Sequence, residues 1–228
     1  MCNSACLKFA GSYFREDEVR GKKVIEIGSR NVNGSVRGIL ESFEPMSYVG
    51  VDVVNGPGVD EICDINRLTE RFGTESFDVV VSTELIEHVR DWRSAVSNLK
   101  RILKPNGALL LTTRSKGFRY HGYPYDFWRY EIEDVHAIFG DLTLQVVESD
   151  PISPGVFVKA HKEAAFLERN LKAHSLYSIV RQTHCRDIRD LDILLFKTKR
   201  FVRGFLSRIL PARTKALIKR VIWRQGRS

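Results

Sequence analysis

The sequence predicts an α/β protein: one open, mostly parallel seven-stranded sheet with an antiparallel last strand, followed by a helical extension. Three observations carry this. From residue 22 to residue 139 short apolar runs alternate with amphipathic stretches, the pattern of strands joined by helical crossovers. The run at 108–113, Ala-Leu-Leu-Leu-Thr-Thr, is nearly all apolar, as a strand buried on both faces must be. Residues 149–154 are too few for a helix, so the strands beside them, 142–148 and 155–160, are expected to pair antiparallel.

Residues 1–21 mix cysteine, aromatic and charged residues. A helix is expected near 6–13, with a lead-in at 14–21 that either covers a pocket or braces the N-terminus. The stretch 22–34, Lys-Lys-Val-Ile-Glu-Ile-Gly-Ser-Arg-Asn-Val-Asn-Gly, organises the rest of the chain. Its apolar run 24–27 reads as a buried strand that breaks at Gly28 into a polar turn before an amphipathic helix at 35–43. Gly28 and Gly34 let the backbone turn sharply and approach a ligand, and Asn31 and Asn33 tolerate unusual dihedrals and can cap the helix. A second strand, 48–53, ends in Asp52. The turn Asn55-Gly-Pro-Gly58 and a short third strand, 59–64, lead to a helix at 66–72. A fourth strand at 77–82 precedes a helix striped with Leu85, Val89, Trp92, Val96, Leu99 and Leu103, which ends in the turn Lys104-Pro-Asn-Gly107.

The charge of the first turn restricts its ligand. Neither Gly-x-Gly-x-x-Gly nor a P-loop lysine is present, while Glu26 and Asp52 flank the site. Carboxylates repel phosphates and suit hydroxyls, ammonium groups and a sulfonium. On Glu26, Gly28 and Asp52 the sequence resembles the class I S-adenosylmethionine-dependent methyltransferases, a Rossmann-like fold, although Arg30 stands where that family usually has a second glycine. The stretch Ser82-Thr-Glu-Leu-Ile-Glu-His88 and the turn Leu103-Lys-Pro-Asn-Gly107 are similar to segments of its type 11 group, so the resemblance spans about residues 20–160.

The resemblance implies that Glu26 holds the methionine part of S-adenosylmethionine, Asp52 the ribose hydroxyls and Asp64 the adenine amino group; Asp64 reads equally as the N-cap of the helix after it. It extends the cofactor cradle over Ser29, Asn33, Gly34, Ile65, Ser82 and Thr83. In an open parallel sheet ligands sit outside the carboxyl ends of the strands, so residues 82–88 should face the first turn across the cleft.

Residues 114–130, Arg-Ser-Lys-Gly-Phe-Arg-Tyr-His-Gly-Tyr-Pro-Tyr-Asp-Phe-Trp-Arg-Tyr, form a long aromatic-rich loop. It reads as a substrate wall built from Tyr120, Tyr123, Tyr125, Trp128 and Arg129, or as a packed cover that completes the core. For a general base, His121 and His88 have suitable intrinsic pKa values, and Asp126 can act itself or orient a histidine. Cys2, Cys6, Cys63 and Cys185 lack metal-ligand spacing, and no metal site is expected.

The 228 residues, 43% hydrophobic, suffice for one domain and an appendage: 1–21 as lead-in, 22–161 as the methyltransferase-like domain and 162–228 as a basic helical extension. Helices are expected at 163–173 and 176–182. The net charge of +8 lies in the tail, for residues 197–228 hold 11 Lys or Arg and no acid. Two amphipathic segments there, separated by Pro211, suit an anionic membrane surface, packing on a protein, or nucleic-acid phosphates, the last disfavoured by few aromatics for stacking. No run of about 18 apolar residues and no signal pattern is found. A cytoplasmic protein is expected, peripheral at the inner membrane face.

The expected function is methyl transfer to an oxygen or carbon of a small-molecule, glycan or lipid-linked acceptor. The alternatives are an RNA methyltransferase that grips phosphates with its tail, and a binding protein that keeps the fold without turnover.

Overall fold

A computed structural model of the chain describes residues 3–122 and 124–209, which fall into two compact units divided after Asp187. The first unit is built on a sheet of β1 (Lys23–Ile27), β2 (Ser47–Asp52), β3 (Glu61–Ile62), β4 (Phe77–Thr83), β5 (Leu103–Arg114), β7 (Thr143–Ser149) and β8 (Gly155–His161). Their order is β3-β2-β1-β4-β5-β8-β7. β1 pairs parallel with β2 and β4, and β4 with β5; β8 runs antiparallel between β5 and β7. Strand order therefore reverses at β1 and β4, and the carboxyl ends of these two strands open a crevice.

Alternation along the strands assigns the two faces of the sheet. Val24, Val79, Val81, Leu110 and Phe157 pack under α1 (Ser4–Tyr13) and α3 (Arg37–Glu41), meeting Phe9, Ala10 and Leu40. α4 (Leu68–Phe72) packs on α5 (Trp92–Ile102), which packs against β4 and β5, and α6 (Ile132–Phe139) packs against β7 and β8. Lys100, fully buried on α5, donates to the Ile138 carbonyl at 2.6 Å and to Asp141 at 2.7 Å, and so pins the carboxyl end of α6, where a cation is favoured. The N-terminal segment is a brace: α2 (Glu16–Val19) brings Glu18 within 2.6 Å of the buried Lys159 on β8.

Several expected elements are corrected. The helix over the fourth crossover starts at Trp92 rather than Leu85, because Asp91 caps it by accepting from Ser94 N at 3.2 Å while Ile86–His88 form a separate 3-10 turn. Residues 104–107 belong to β5 rather than to a turn: Asn106 N donates to the Lys162 carbonyl at 2.6 Å and Lys162 N to the Gly107 carbonyl at 3.0 Å, with Asn106 at φ +61° taking up the slip in register. Residues 163–173 are not helical, since Arg93 takes the carbonyls of Leu171 at 2.9 Å and His174 at 2.6 Å from outside the segment. The helix expected at 176–182 is instead β9 (Leu176–Ser178), which with β10 (Thr183–Cys185) and β6 (Trp128–Arg129) forms a small antiparallel sheet in the order β10-β9-β6. Residues 162–187 thus belong to the first unit. In the second unit α7 (Asp190–Ile209) carries the first basic segment; the segment after Pro211 lies outside the described residues.

Candidate functional site

The first wall of the crevice is the turn after β1. Gly28 is at φ +78°, and a Cβ there would stand 3.1 Å from the Leu85 side chain, so only glycine lets this turn meet the loop after β4. Gly50 is equally confined, because a Cβ would collide with the Gly58 carbonyl and with Ser29. Arg30, in place of a second glycine, lies along Gly56, its Nε 2.9 Å from where a Cβ would be. Asp52, at the end of β2, accepts from Val54 N at 3.0 Å and from Arg30 N at 3.4 Å, which ties the two loops together.

The polar groups around this wall fit S-adenosylmethionine. The hydroxyls of Ser29 and Ser82 are buried at the ends of β1 and β4 and hydrogen-bond to nothing among the described residues. Asp52 has acceptor capacity left beyond its two backbone donors. Asp64 caps the turn after it, accepting from Asn66 N at 2.8 Å, and also lines a pocket of about 530 Å³ with Val53, Ile62, Cys63, Arg67 and Arg71. Ile65 and Thr83 are buried nearby in sequence, whereas Asn33 and Gly34 lie on the outer side of the turn, where Gly34 N donates to Asn31 at 3.1 Å.

Glu26 is 2% exposed and accepts from Tyr48 Oη at 2.8 Å and Ser35 Oγ at 3.4 Å. Burial raises its pKa from 4.5 to about 7, more than those two bonds and Arg37 lower it. The unfolded chain ionises first, so the stability contributed by the neutral carboxyl is complete below pH 4.5 and is lost as pH rises to 7, a change of about 3 kcal/mol. Urea denaturation at pH 5 and pH 8 is expected to show this fall in wild type and its absence in Glu26→Gln; equal slopes in both proteins would refute it. An ammonium group bound beside Glu26 would restore the ionised form.

The second wall begins where β4 ends. Glu84 adopts φ +55°, a left-handed conformation that costs a non-glycine residue about 1 kcal/mol and that turns the chain into the 3-10 turn. Its buried carboxylate pairs with Arg114, which also bonds Asp150 at 2.9 Å, and Cys6 Sγ from α1 lies 3.8 Å away. Burial and the neighbouring Glu87 push the Glu84 pKa well up.

The 3-10 turn delivers Glu87 and His88 to the cleft. Glu87 is fully buried and one oxygen accepts from Thr113 at 2.9 Å. The loop 114–130 doubles back over it: Phe127 N donates to the Glu87 carbonyl at 2.9 Å and Tyr130 Oη to the Ile86 carbonyl at 3.3 Å. This brings His121 beside His88, ring centroids 4.6 Å apart, with His121 Nδ1 2.9 Å from Asp126. Burial lowers the His121 pKa but Asp126 and Glu87 outweigh it and raise it to about 9; Glu87, raised by burial, is held down to about 2 by His121 and His88.

The structure thus gathers His88, His121 and Asp126 into one cluster. Two residues expected to line the substrate wall are buried. Trp128 is fully buried with Nε1 donating to the carbonyls of Val89 and Arg90 at 3.1 Å, and Arg129, 1% exposed, spends its guanidinium on Asp126 at 2.6 and 2.7 Å and on nearby carbonyls. Both hold the loop, so this half is a packed cover. Tyr120 and Tyr125 are half-buried on the same loop; Tyr123 lies outside the described residues. Sequence reasoning missed Glu87, Glu84 and Arg114 as site residues, although two carboxylates three positions apart followed by a histidine are a signal for acid–base or ligand chemistry.

A family model described as a methyltransferase domain matches residues 7–145. The chain is 27% identical over 118 residues to the mitochondrial ubiquinone biosynthesis O-methyltransferase of Homo sapiens, covering 42% of this chain and 30% of that protein. It is 30% identical over 107 residues to the ubiquinone biosynthesis O-methyltransferase of Haemophilus ducreyi, covering 41% and 45%. It therefore spans less than half the length of these curated relatives. In fold it is similar to an S-adenosylmethionine-dependent methyltransferase from Mesorhizobium loti (TM-score 0.55, 14% identity, 70% and 99% covered). It is also similar to the Burkholderia thailandensis 1,6-didemethyltoxoflavin-N1-methyltransferase with bound S-adenosylhomocysteine (TM-score 0.56, 13% identity, 70% and 79% covered). With the family model over more than half its residues, the switch-point crevice between β1 and β4 and an antiparallel β8, the chain belongs to the methyltransferase-domain family and has the class I fold of S-adenosylmethionine-dependent methyltransferases.

Proposed function

We propose that the protein transfers the methyl group of S-adenosylmethionine to an oxygen of a small-molecule acceptor. The observation that carries this is the cluster of Glu87, His88, His121 and Asp126 beyond the carboxyl end of β4, where Leu85 touches the Gly28 turn. A hydroxyl must lose its proton to become a nucleophile, and here imidazole and carboxylate groups stand next to the cradle. The names of the ubiquinone biosynthesis O-methyltransferases support an oxygen acceptor.

The cofactor supplies a methyl carbon already activated by the sulfonium, so the chain contributes binding, alignment and exclusion of water. Asp52 holds the ribose hydroxyls, Glu26 the ammonium end, and Ser29 and Ser82 donate into the cradle. Asp64, Ile65 and Thr83 flank the adenine. Tyr120 and Tyr125 offer faces to the acceptor, whose hydroxyl proton leaves toward Nε2 of His88, the ring whose Nδ1 proton is held by the Tyr125 carbonyl.

The same proposal sets the protein on an anionic lipid surface. In α7, Lys197, Lys199, Arg200 and Arg203 share a helix with the exposed Phe201, Val202 and Phe205, the composition of an interfacial helix. Co-sedimentation with phosphatidylglycerol vesicles but not with phosphatidylcholine vesicles is expected, and equal binding to both would count against it.

The function is tested by incubating the chain with methyl-labelled S-adenosylmethionine and a panel of phenols, amines and thiols. Label is expected on oxygen, with S-adenosylhomocysteine binding measured separately by calorimetry. Label confined to nitrogen or sulfur, or no binding of S-adenosylhomocysteine, would overturn the assignment.

A further inference from the structure

Each histidine of the cluster has an oxygen beside its Nδ1. Nδ1 of His88 lies 2.6 Å from the Tyr125 carbonyl oxygen. A carbonyl only accepts, so that nitrogen donates its proton, and the neutral ring keeps its lone pair on Nε2. Nδ1 of His121 lies 2.9 Å from the Asp126 carboxylate outside hydrogen-bond geometry, and both nitrogens of that ring are buried with no hydrogen-bond partner among the described residues. Both Nε2 atoms face one oxygen, Glu87 Oε1, at 3.9 Å from His88 and 3.6 Å from His121.

These separations are too long for hydrogen bonds. They suit two ligands on either side of a cation, each about 2.1 Å from it. The three ligating atoms lie within 4.8 Å of one another. Glu87 Oε1 is buried and hydrogen-bonds to nothing among the described residues, while its other oxygen is fixed by Thr113. The outer groups are those that orient metal-bound imidazoles elsewhere, a carboxylate on one ring and a backbone carbonyl on the other.

We propose that Glu87 Oε1, His88 Nε2 and His121 Nε2 bind one divalent first-row transition cation, with Asp126 and the Tyr125 carbonyl as positioning groups. Two imidazoles and one carboxylate leave coordination positions open. What the cation does there rests on the methyl-transfer reading. The acceptor oxygen binds at an open position, its O–H bond breaks with the proton passing to solvent, and the oxygen forms a bond to the methyl carbon as the carbon–sulfur bond breaks. His121 is then a ligand, and no free base is needed.

The test is equilibrium dialysis of metal-stripped full-length protein against Co²⁺, Zn²⁺ or Mn²⁺, with bound metal counted and the visible spectrum of the Co²⁺ form recorded. One cation per chain is expected, with a Co²⁺ spectrum showing nitrogen ligation. Affinity should fall at least tenfold in His88→Gln and in His121→Gln, and about tenfold in Asp126→Asn, while the exposed-histidine control His184→Gln binds as wild type. Substoichiometric binding by wild type would overturn the site, as would a Co²⁺ spectrum without nitrogen ligation or unchanged affinity in both histidine variants. Calorimetry with S-adenosylhomocysteine on the same sample separates the two readings. Cofactor binding without the cation sinks only the metal site, and a cation without cofactor binding sinks only the methyl-transfer reading.

Discussion

Replacing Arg129 with Ala is expected to destabilise the protein by about 3–5 kcal/mol, as removal of one partner from a buried ion pair does. Arg129 is 1% exposed and Asp126 fully buried, joined by two bonds of 2.6 and 2.7 Å. Without the guanidinium, Asp126 keeps a carboxylate that Arg129 now holds well below its ordinary pKa against the pull of burial, and the Phe118, Arg119 and Trp128 carbonyls lose their donor. Arg129→Lys preserves charge but not the planar fork, so an intermediate loss is expected. A urea midpoint and its slope measure the effect, and a loss under 1 kcal/mol in Arg129→Ala would show that the loop is held by other means. The same substitution should loosen His121, because Asp126 accepts from His121 N at 3.0 Å and lies 2.9 Å from its ring.

Asp52→Ala is expected to weaken S-adenosylhomocysteine about a hundredfold by calorimetry. A carboxylate that accepts from two hydroxyls makes charge-assisted bonds of about 1.5–3 kcal/mol each, partly offset by the water it sheds. The variant also loses the bonds from Val54 N and Arg30 N, so about 1 kcal/mol of stability should go with it. Asp52→Asn keeps acceptor capacity without the charge and should fall between. Unchanged affinity in a folded Asp52→Ala protein would remove the β2 end from the cradle and with it the ribose assignment.

Most strands of the main sheet were legible because they are short apolar runs, and the pairing of the last two because six residues cannot hold a crossover helix. Residues 163–187 were not, since their local pattern suits a helix while their hydrogen bonds go to distant partners: Arg93 for the 171 and 174 carbonyls, Trp128 and Arg129 for β9. Long-range partners leave no periodic trace in the segment they capture. For the same reason Trp128 and Arg129 read as residues of a substrate wall although both are buried.

By itself the sequence determined the sheet, the Gly28 turn and the two carboxylates, Glu26 and Asp52, that flank it. These depend on residue type and on spacing within one or two elements, which the chain states directly. Only the tertiary structure decided that Glu87 and His88 meet His121, more than thirty positions further along. The 3-10 turn after Glu84 and the doubled-back loop bring them together, and the Tyr125 carbonyl settles which nitrogen of His88 faces Glu87. A cluster of this kind is assembled by packing and hydrogen bonds between distant segments, so its chemistry lies in the geometry rather than in any one motif.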